Sequence, residues 1–310
     1  MNLVRKVLKE GYEYEDPNRK GIMRKQIDHA VIEIDNGGSY DFPIITSKLT
    51  YPQLALQELF LFLAGESDIR EYRIAGINFW DEDLARFNKE TERPWKDKYF
   101  LTGTYPELMR KWKNHDGVIV DQIEDIMKTL KESPTSTKKT VTMWNPKTKS
   151  VLTPCHHMFE LLNNPKTNKL SLKWSQHSCD LFLGIPMNIY YYNHLLRMFC
   201  EYGDFKVGKL IGNLSNIHLY DNSWMESEEM VRRWRYEKLN PISWGSKGYI
   251  KLGKHFYKDT LENCTQFGAI QAPEIKDDLW KIDLFWGLIK GVKLNKKAIP
   301  KYNVKMLTYG

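Results

Sequence analysis

Apolar residues recur along this chain with two spacings, and the spacings divide it into elements. Leu3, Val4, Val7 and Leu8 fall on one helical face and predict a short opening helix. Residues 28–35 read as a strand that ends at the turn Asn36-Gly37-Gly38. Thr50-Tyr51-Pro52-Gln53 has the form of a capping box with proline early in the first turn. The apolar run after it, to Leu63, predicts a helix closed by Gly65. That helix is apolar nearly all round, which predicts deep burial, yet Glu58 stands in its middle. Ile119, Ile123, Ile126, Met127 and Leu130 keep the 3.6-residue period of a surface helix. Residues 140–144 and 157–162 read as strands. In 170–177, Leu170, Leu172 and Trp174 alternate with polar residues, as in a sheet with one face in the core. Pro186 opens a helix to about Tyr202. Leu210, Gly212, Leu214, Asn216, His218 and Tyr220 line one face of another strand. Ser227 to Tyr236 is a short charged helix, and from 237 to 310 only short strands are expected.

Strands and helices alternate without a regular βαβ rhythm, which favours an α+β fold. No repeat or linker-like tract interrupts residues 1–310, so one domain is expected. Composition agrees: 42% apolar and 27% charged residues exclude disorder and a disulfide miniprotein. Lys+Arg is 46 against Asp+Glu at 39, a net charge of +7. That balance suits an anionic ligand but is too small to argue for nucleic acid. Cys155, Cys179, Cys200 and Cys264 form no CxxC and no zinc-type spacing, so no metal is expected and free thiols in a reducing cytoplasm are. No apolar run approaches the ~18 residues of a membrane span.

The chemistry concentrates at Pro154-Cys155-His156-His157. A cysteine among polar groups acts as a thiolate nucleophile where cations lower its pKa. Alone, such a cysteine reads more readily as a buried structural residue. Two further segments change the weighing: Gln176-His177-Ser178-Cys179-Asp180-Leu181-Phe182-Leu183-Gly184-Ile185-Pro186-Met187-Asn188-Ile189, and His218-Leu219-Tyr220. With Cys155 they resemble the thymidylate synthase family. That family carries Pro-Cys-His, then Gln-Arg-Ser-x-Asp with Leu-Gly-x-Pro-Phe-Asn-Ile, then His-x-Tyr. Glu58-Leu59 with Phe62-Leu63-x-Gly65 is similar to its Glu-Leu-x-Trp-Phe-x-x-Gly helix. Ile77-Asn78-Phe79-Trp80-Asp81-Glu82 and Phe42-Pro43-Ile44-Ile45-Thr46-Ser47-Lys48 are similar to two more of its segments. The resemblance covers residues 1 to about 225.

The resemblance implies a mixed sheet flanked by helices, with one sheet face forming a homodimer interface. It implies C5 methylation of dUMP to dTMP with 5,10-methylenetetrahydrofolate as cosubstrate. Cys155 would add to C6 of uracil and activate C5; the reaction requires no metal. Asn188 would read the base, since a carboxamide accepts from N3–H and donates to O4 at once; relatives acting on dCMP carry Asp there. His218 and Tyr220 would hold the 3′-hydroxyl. Glu58, its pKa raised by burial, and His156 would serve proton traffic at O4. Tyr105 would lie near C5. Asp180 would contact the pterin, and Trp80, Leu183, Gly184 and Met187 would line the folate side. Arg19, Gln176, His177 and Ser178 would face the nucleotide and its phosphate, with Lys138 and Lys139 reaching it from the partner subunit.

Several positions depart from the family pattern. His177 stands where the family has the arginine that grips phosphate and polarises the thiol, and Lys138-Lys139 where it has paired arginines. Met187 replaces a phenylalanine and Asp83 a second folate-facing tryptophan. The tail 304–310 does not match the family's closing segment. The tail, Met187 and Asp83 motivate a second expectation, a dUMP hydroxymethylase that lets water in and forms 5-hydroxymethyl-dUMP. His177 and the lysine pair motivate a third, a non-catalytic nucleotide- or RNA-binding homologue, against which Cys155 and Glu58 stand. Neither a membrane nor nucleic acid is the expected partner of the leading reading.

Overall fold

The computed structural model describes residues 1–36, 44, 45, 48, 50–146 and 149–239, and the backbone of 249–252, 255–258 and 267–268. The expected turn at Gly37-Gly38, the residues Phe42-Pro43 and Thr46-Ser47, and the tail 304–310 lie outside the described residues.

The helices are α1 Asn2–Glu10, α2 Pro52–Leu63, α3 Ile69–Ile74, α4 Asp81–Thr91, α5 Tyr105–Arg110, α6 Gln122–Glu132, α7 Gly184–Gly203 and α8 Trp224–Leu239. The strands are β1 Tyr12–Glu15, β2 Met23–Asp35, β3 Ile44–Ile45, β4 Trp112–Lys113, β5 Ile119–Val120, β6 Thr140–Thr142, β7 His156–Asn164, β8 Lys169–Gln176, β9 Cys179–Asp180 and β10 Lys206–Tyr220. The main sheet runs β1-β2-β10-β8-β7-β6, with β9 beside β10. β10 is parallel to β8 and β9; the other pairs are antiparallel. This is the expected mixed sheet flanked by helices, an α+β fold.

One face of the sheet carries the core. Phe159, Leu172 and Trp174 meet Tyr192, Leu195 and Phe199 of α7 and Leu59 and Phe62 of α2, all buried. Fully burying one such side chain contributes roughly 1.5–3 kcal/mol. Gly212 of β10 lies under Trp174: a β-carbon there would stand 2.5 Å from the indole, so a glycine is required for packing. On the opposite face His29, Val31, Glu33 and Asp35 of β2 are exposed, as is Leu162 of β7. Among the described residues no helix is long and apolar enough to cross a membrane.

Local signals were mostly realised, with three corrections. Thr50 does not cap α2. Its hydroxyl is shared with Tyr190 Oη at 2.7 Å, and Tyr51 occupies the cap position without a side-chain bond. The other end behaves as expected: Gly65 takes φ +67° after Ala64, and the Gly65 and Glu66 amides close onto Phe62 and Leu61 carbonyls. Ile119 is not part of the helix expected around it. Asp121 caps α6 by accepting from the Ile123 and Glu124 amides, and Ile119 is exposed in β5. Asn216 does not share the buried face of β10. It is exposed at φ +50°, where the strand kinks.

That kink positions the site. β8 and β9 are one strand interrupted at His177 and Ser178: Gln176 aligns with Leu214 and Cys179 with Ile217 at the same offset. The Asn216 side chain fills the interruption. Its Nδ2 donates to the His177 carbonyl at 2.7 Å, and its Oδ1 accepts from Gln26 Nε2 at 3.2 Å.

Candidate active site

Residues 153–155 lead into β7, and the His177 amide donates to the Cys155 carbonyl at 3.0 Å. The strand interruption is thereby tied to the loop that carries the thiol. The Cys155 amide donates to Tyr105 Oη at 2.9 Å, so α5 fixes the same loop from the other side. Ser178 makes a side-chain hydrogen bond to the thiol.

The thiol is only partly exposed. Burial pushes its pKa up to about 11; Arg19 and the Ser178 hydrogen bond pull it down, and Asp83 and Asp180 push it up. The lowering of this pKa by a cation, which the sequence reading required, is present, but the net shift is upward. Arg19 is the cation that acts on it, and desolvation outweighs it.

Glu58 of α2 accepts from Trp80 Nε1 at 2.7 Å. It keeps some accessible surface, yet burial raises its pKa to about 7, opposed by the indole hydrogen bond. The expected rise is present, and its placement gives a carboxyl able to give or take a proton near neutrality. Trp80 is 5% exposed, and its ring packs against Phe62 and Tyr105. Its indole N–H holds Glu58 in place.

His156 stacks on Tyr105 with ring centroids 4.1 Å apart, and its Nδ1 is bonded to Tyr192 Oη at 2.6 Å. Burial lowers its pKa to about 3, so the ring is neutral. Burial drives the Tyr105 phenol well up, with Cys155 and Glu58 adding to it. Cys155 and Glu58 thus both act electrostatically on Tyr105.

Asp180 Oδ1 accepts from the Phe182 and Leu183 amides at 2.8 and 3.1 Å and closes the turn that leads into α7. Its other oxygen has no hydrogen bond among the described residues. Leu183, Gly184 and Met187 follow on the first turns, half-buried. The Asn188 carboxamide makes no hydrogen bond to a described residue, and a β-carbon on Gly184 would stand 3.9 Å from its Oδ1. His218 is buried with Nδ1 against the Asn216 carbonyl at 2.7 Å, which makes Nδ1 the donor and leaves Nε2 as acceptor. Its pKa is lowered by burial, with Asp180 opposing. Tyr220 packs on it at 4.8 Å, and Arg19 Nη1 donates to the Tyr220 hydroxyl at 2.8 Å.

Two expected ligand residues are already occupied by the protein. Gln176 Oε1 accepts from Trp174 Nε1 at 3.2 Å and its Nε2 donates to the Ser178 carbonyl at 2.8 Å, so it props the loop. Lys139 is buried, and its ammonium donates to the carbonyls of Pro134, at 2.8 Å, and Ser136. Its ammonium is turned inward within this chain. Lys138 is exposed beside β6. Neither lysine joins the cluster around Cys155.

Three residues that the sequence reading did not place beside the thiol or the nucleotide also belong here. Lys48 is buried, with its ammonium over the Phe182 ring at 3.9 Å and donating to the Phe182 carbonyl; burial lowers its pKa to about 8. Asp83 is buried, bridged to Arg86 at 3.3 Å, and acts on Cys155. His157 sits beside His177, with centroids 5.7 Å apart. A buried ammonium inside a motif segment was the signal for Lys48. Asp83 reads in sequence as a departure from a folate-facing tryptophan, and nothing there places it near the thiol.

The comparisons agree with one another. The family model described as thymidylate synthase matches residues 1–259. A thymidylate synthase of Buchnera aphidicola subsp. Baizongia pistaciae (strain Bp) is 31% identical over 237 residues, 76% of this chain and 83% of the relative. One of Buchnera aphidicola subsp. Schizaphis graminum (strain Sg) is 32% identical over 236 residues, 75% and 83% of the two chains.

Proposed function

The chain belongs to the thymidylate synthase family, and from that premise we propose that it methylates C5 of dUMP, with Cys155 as the nucleophile. One observation carries the reading. α2, α4, α5, the loop before β7, the β8–β9 interruption and the end of β10 bring Glu58, Asp83, Tyr105, Cys155, Ser178 and Tyr220 into one electrostatically linked group.

The Cys155 thiolate adds to C6, and the electron pair moves through C5=C6 toward O4. Glu58, with a pKa about 7, relays the proton that O4 needs and later loses. Tyr105 orients Cys155 by accepting from its amide, and it is electrostatically linked to both Cys155 and Glu58. Asn188, free of protein hydrogen bonds among the described residues, reads N3–H and O4. Its place on α7 is fixed by the turn that Asp180 closes. His218 Nε2 accepts the ribose 3′-hydroxyl and Tyr220 borders it. Arg19, Ser178 and His177 meet the phosphate.

Methylenetetrahydrofolate, when bound, supplies the one-carbon unit and the reducing hydride. The residues present fit it: the unbonded oxygen of Asp180 suits the N–H edge of a pterin, and Leu183, Gly184 and Met187 offer a half-buried apolar wall. We also infer a homodimer through the uncovered sheet face, where Val31 and Leu162 stand exposed.

The test uses dUMP tritiated at C5 with methylenetetrahydrofolate. Wild-type enzyme is expected to release tritium and form dTMP and dihydrofolate in equal amounts, and Cys155→Ala to do neither. Tritium release that survives in Cys155→Ala removes the nucleophile from the mechanism. A hydroxymethyl adduct in the product mass, without dihydrofolate, refutes methylation.

A further inference from the structure

His157 lies on β7 where the β7–β8 register shifts, and His177 lies in the β8–β9 interruption. Two irregularities in neighbouring strands thus bring two imidazoles together, with centroids 5.7 Å apart. Trp144 flanks both, at 6.4 Å from His157 and 5.1 Å from His177. The Nδ1 atom of each ring is buried and has no hydrogen-bond partner. One orphaned buried nitrogen in a site is costly; two on neighbouring rings call for a partner that the protein alone does not supply. Ser178 is the next residue, and its hydroxyl reaches the Cys155 thiol.

We propose that His157 and His177 form a two-imidazole clamp that takes up a proton to hold the phosphate of the nucleotide. The proposal rests on the reading above that a nucleotide phosphate enters beside Ser178.

The chemistry favours an anion over a cation. A phosphate oxygen accepts from one or both Nδ1–H groups, and a dianion between two rings stabilises an added proton on either. A cation would need more ligands, and among the described residues no group of three metal-binding side chains exists. Burial keeps both rings below the usual imidazole value, and His157 lowers His177 further, so the free pair is neutral near pH 7. The titratable neighbours are His156 on β7, itself neutral, and Cys155 in the loop before it. Among the described residues no carboxylate or cation acts on either ring. The added proton therefore comes from solvent when the phosphate arrives. A phosphate monoester is a dianion above its second pKa of about 6, so uptake is expected around neutral and mildly alkaline pH.

Calorimetric titration in two buffers of different ionisation heat counts that proton. Wild-type protein is expected to take up about one proton per site with dUMP, and affinity to fall by up to ~10-fold per pH unit above neutrality. Deoxyuridine, which lacks the phosphate, is expected to bind with no uptake. His177→Arg carries a permanent charge and is expected to bind dUMP without uptake and with a flat pH dependence. His157→Gln is expected to lose at least half of the uptake and several-fold in dUMP affinity while its affinity for deoxyuridine stays unchanged. That last result separates a role in anion binding from mere support of the fold.

The clamp is overturned if wild-type protein binds dUMP with no proton uptake, or if His157→Gln leaves uptake and pH slope unchanged. Inorganic phosphate is the second probe. If it binds with proton uptake while dUMP does not bind, the clamp stands and the nucleotide reading fails. If neither binds, both fail.

Discussion

Replacing Glu58 by glutamine tests the site through the stability of the fold, without any assay of turnover. Glutamine keeps an acceptor for Trp80 Nε1, so the 2.7 Å contact survives. What it removes is the ionisation. Burial raises the Glu58 pKa from 4.5 to about 7. The folded protein therefore holds the proton more tightly than the unfolded chain. The stability this confers is complete below the unfolded pKa and is lost as pH rises through the folded one. At ~1.4 kcal/mol per pH unit, ionised Glu58 destabilises the native state by about 3 kcal/mol in mild alkali. Glutamine carries no such penalty. The stability of Glu58→Gln relative to wild type is thus expected to rise by about 2–3 kcal/mol between about pH 5 and about pH 8.5. Urea unfolding at the two pH values, at one protein concentration, measures the difference. A constant gap between the two proteins would refute the raised pKa. A gap that narrows with pH would mean that Glu58 is held as an anion by a cation.

Other outcomes follow from the same contacts. Because burial holds the Cys155 thiol up at about 11, alkylation by iodoacetamide should quicken about tenfold per pH unit from neutral upward; a plateau below pH ~9, read by mass spectrometry on the Cys155 peptide, would contradict this. Asn188→Asp should reverse the preference between uracil and cytosine nucleotides, by as much as ~10⁴ in the ratio of kcat/KM, because a mismatched edge leaves buried groups unpaired; an unchanged ratio would remove Asn188 from base reading. Gly212→Ala forces a methyl to within 2.5 Å of Trp174 and should destabilise the fold by about 1–3 kcal/mol in denaturant, with the tryptophan emission altered.

Glu58 shows how a site can be legible in sequence. A carboxyl in an all-apolar helix is expensive, so its burial and its raised pKa could be anticipated from α2 alone. The short motifs around Cys155, Asp180, Asn188 and His218 were equally plain, because each is a contiguous run. Lys139 shows the opposite case. Its charge and its neighbour Lys138 are visible in the chain, but the direction of its ammonium depends on where the Pro134 and Ser136 carbonyls turn. Trp80 was readable as a site residue, whereas its indole N–H partner lies 22 positions away on another helix.

The sequence by itself determined the α+β class, most of the elements and the family, because periodicity and motifs are local properties of the chain. Tertiary structure alone decided which charges act on one another. The thiol pKa is set first by burial and then by Arg19, Asp83 and Asp180, drawn from separate segments. The proximity of His157 and His177 is set by two strand irregularities that no single segment encodes. Electrostatic and hydrogen-bond energies depend on distance and burial, and those exist only once the chain has closed on itself.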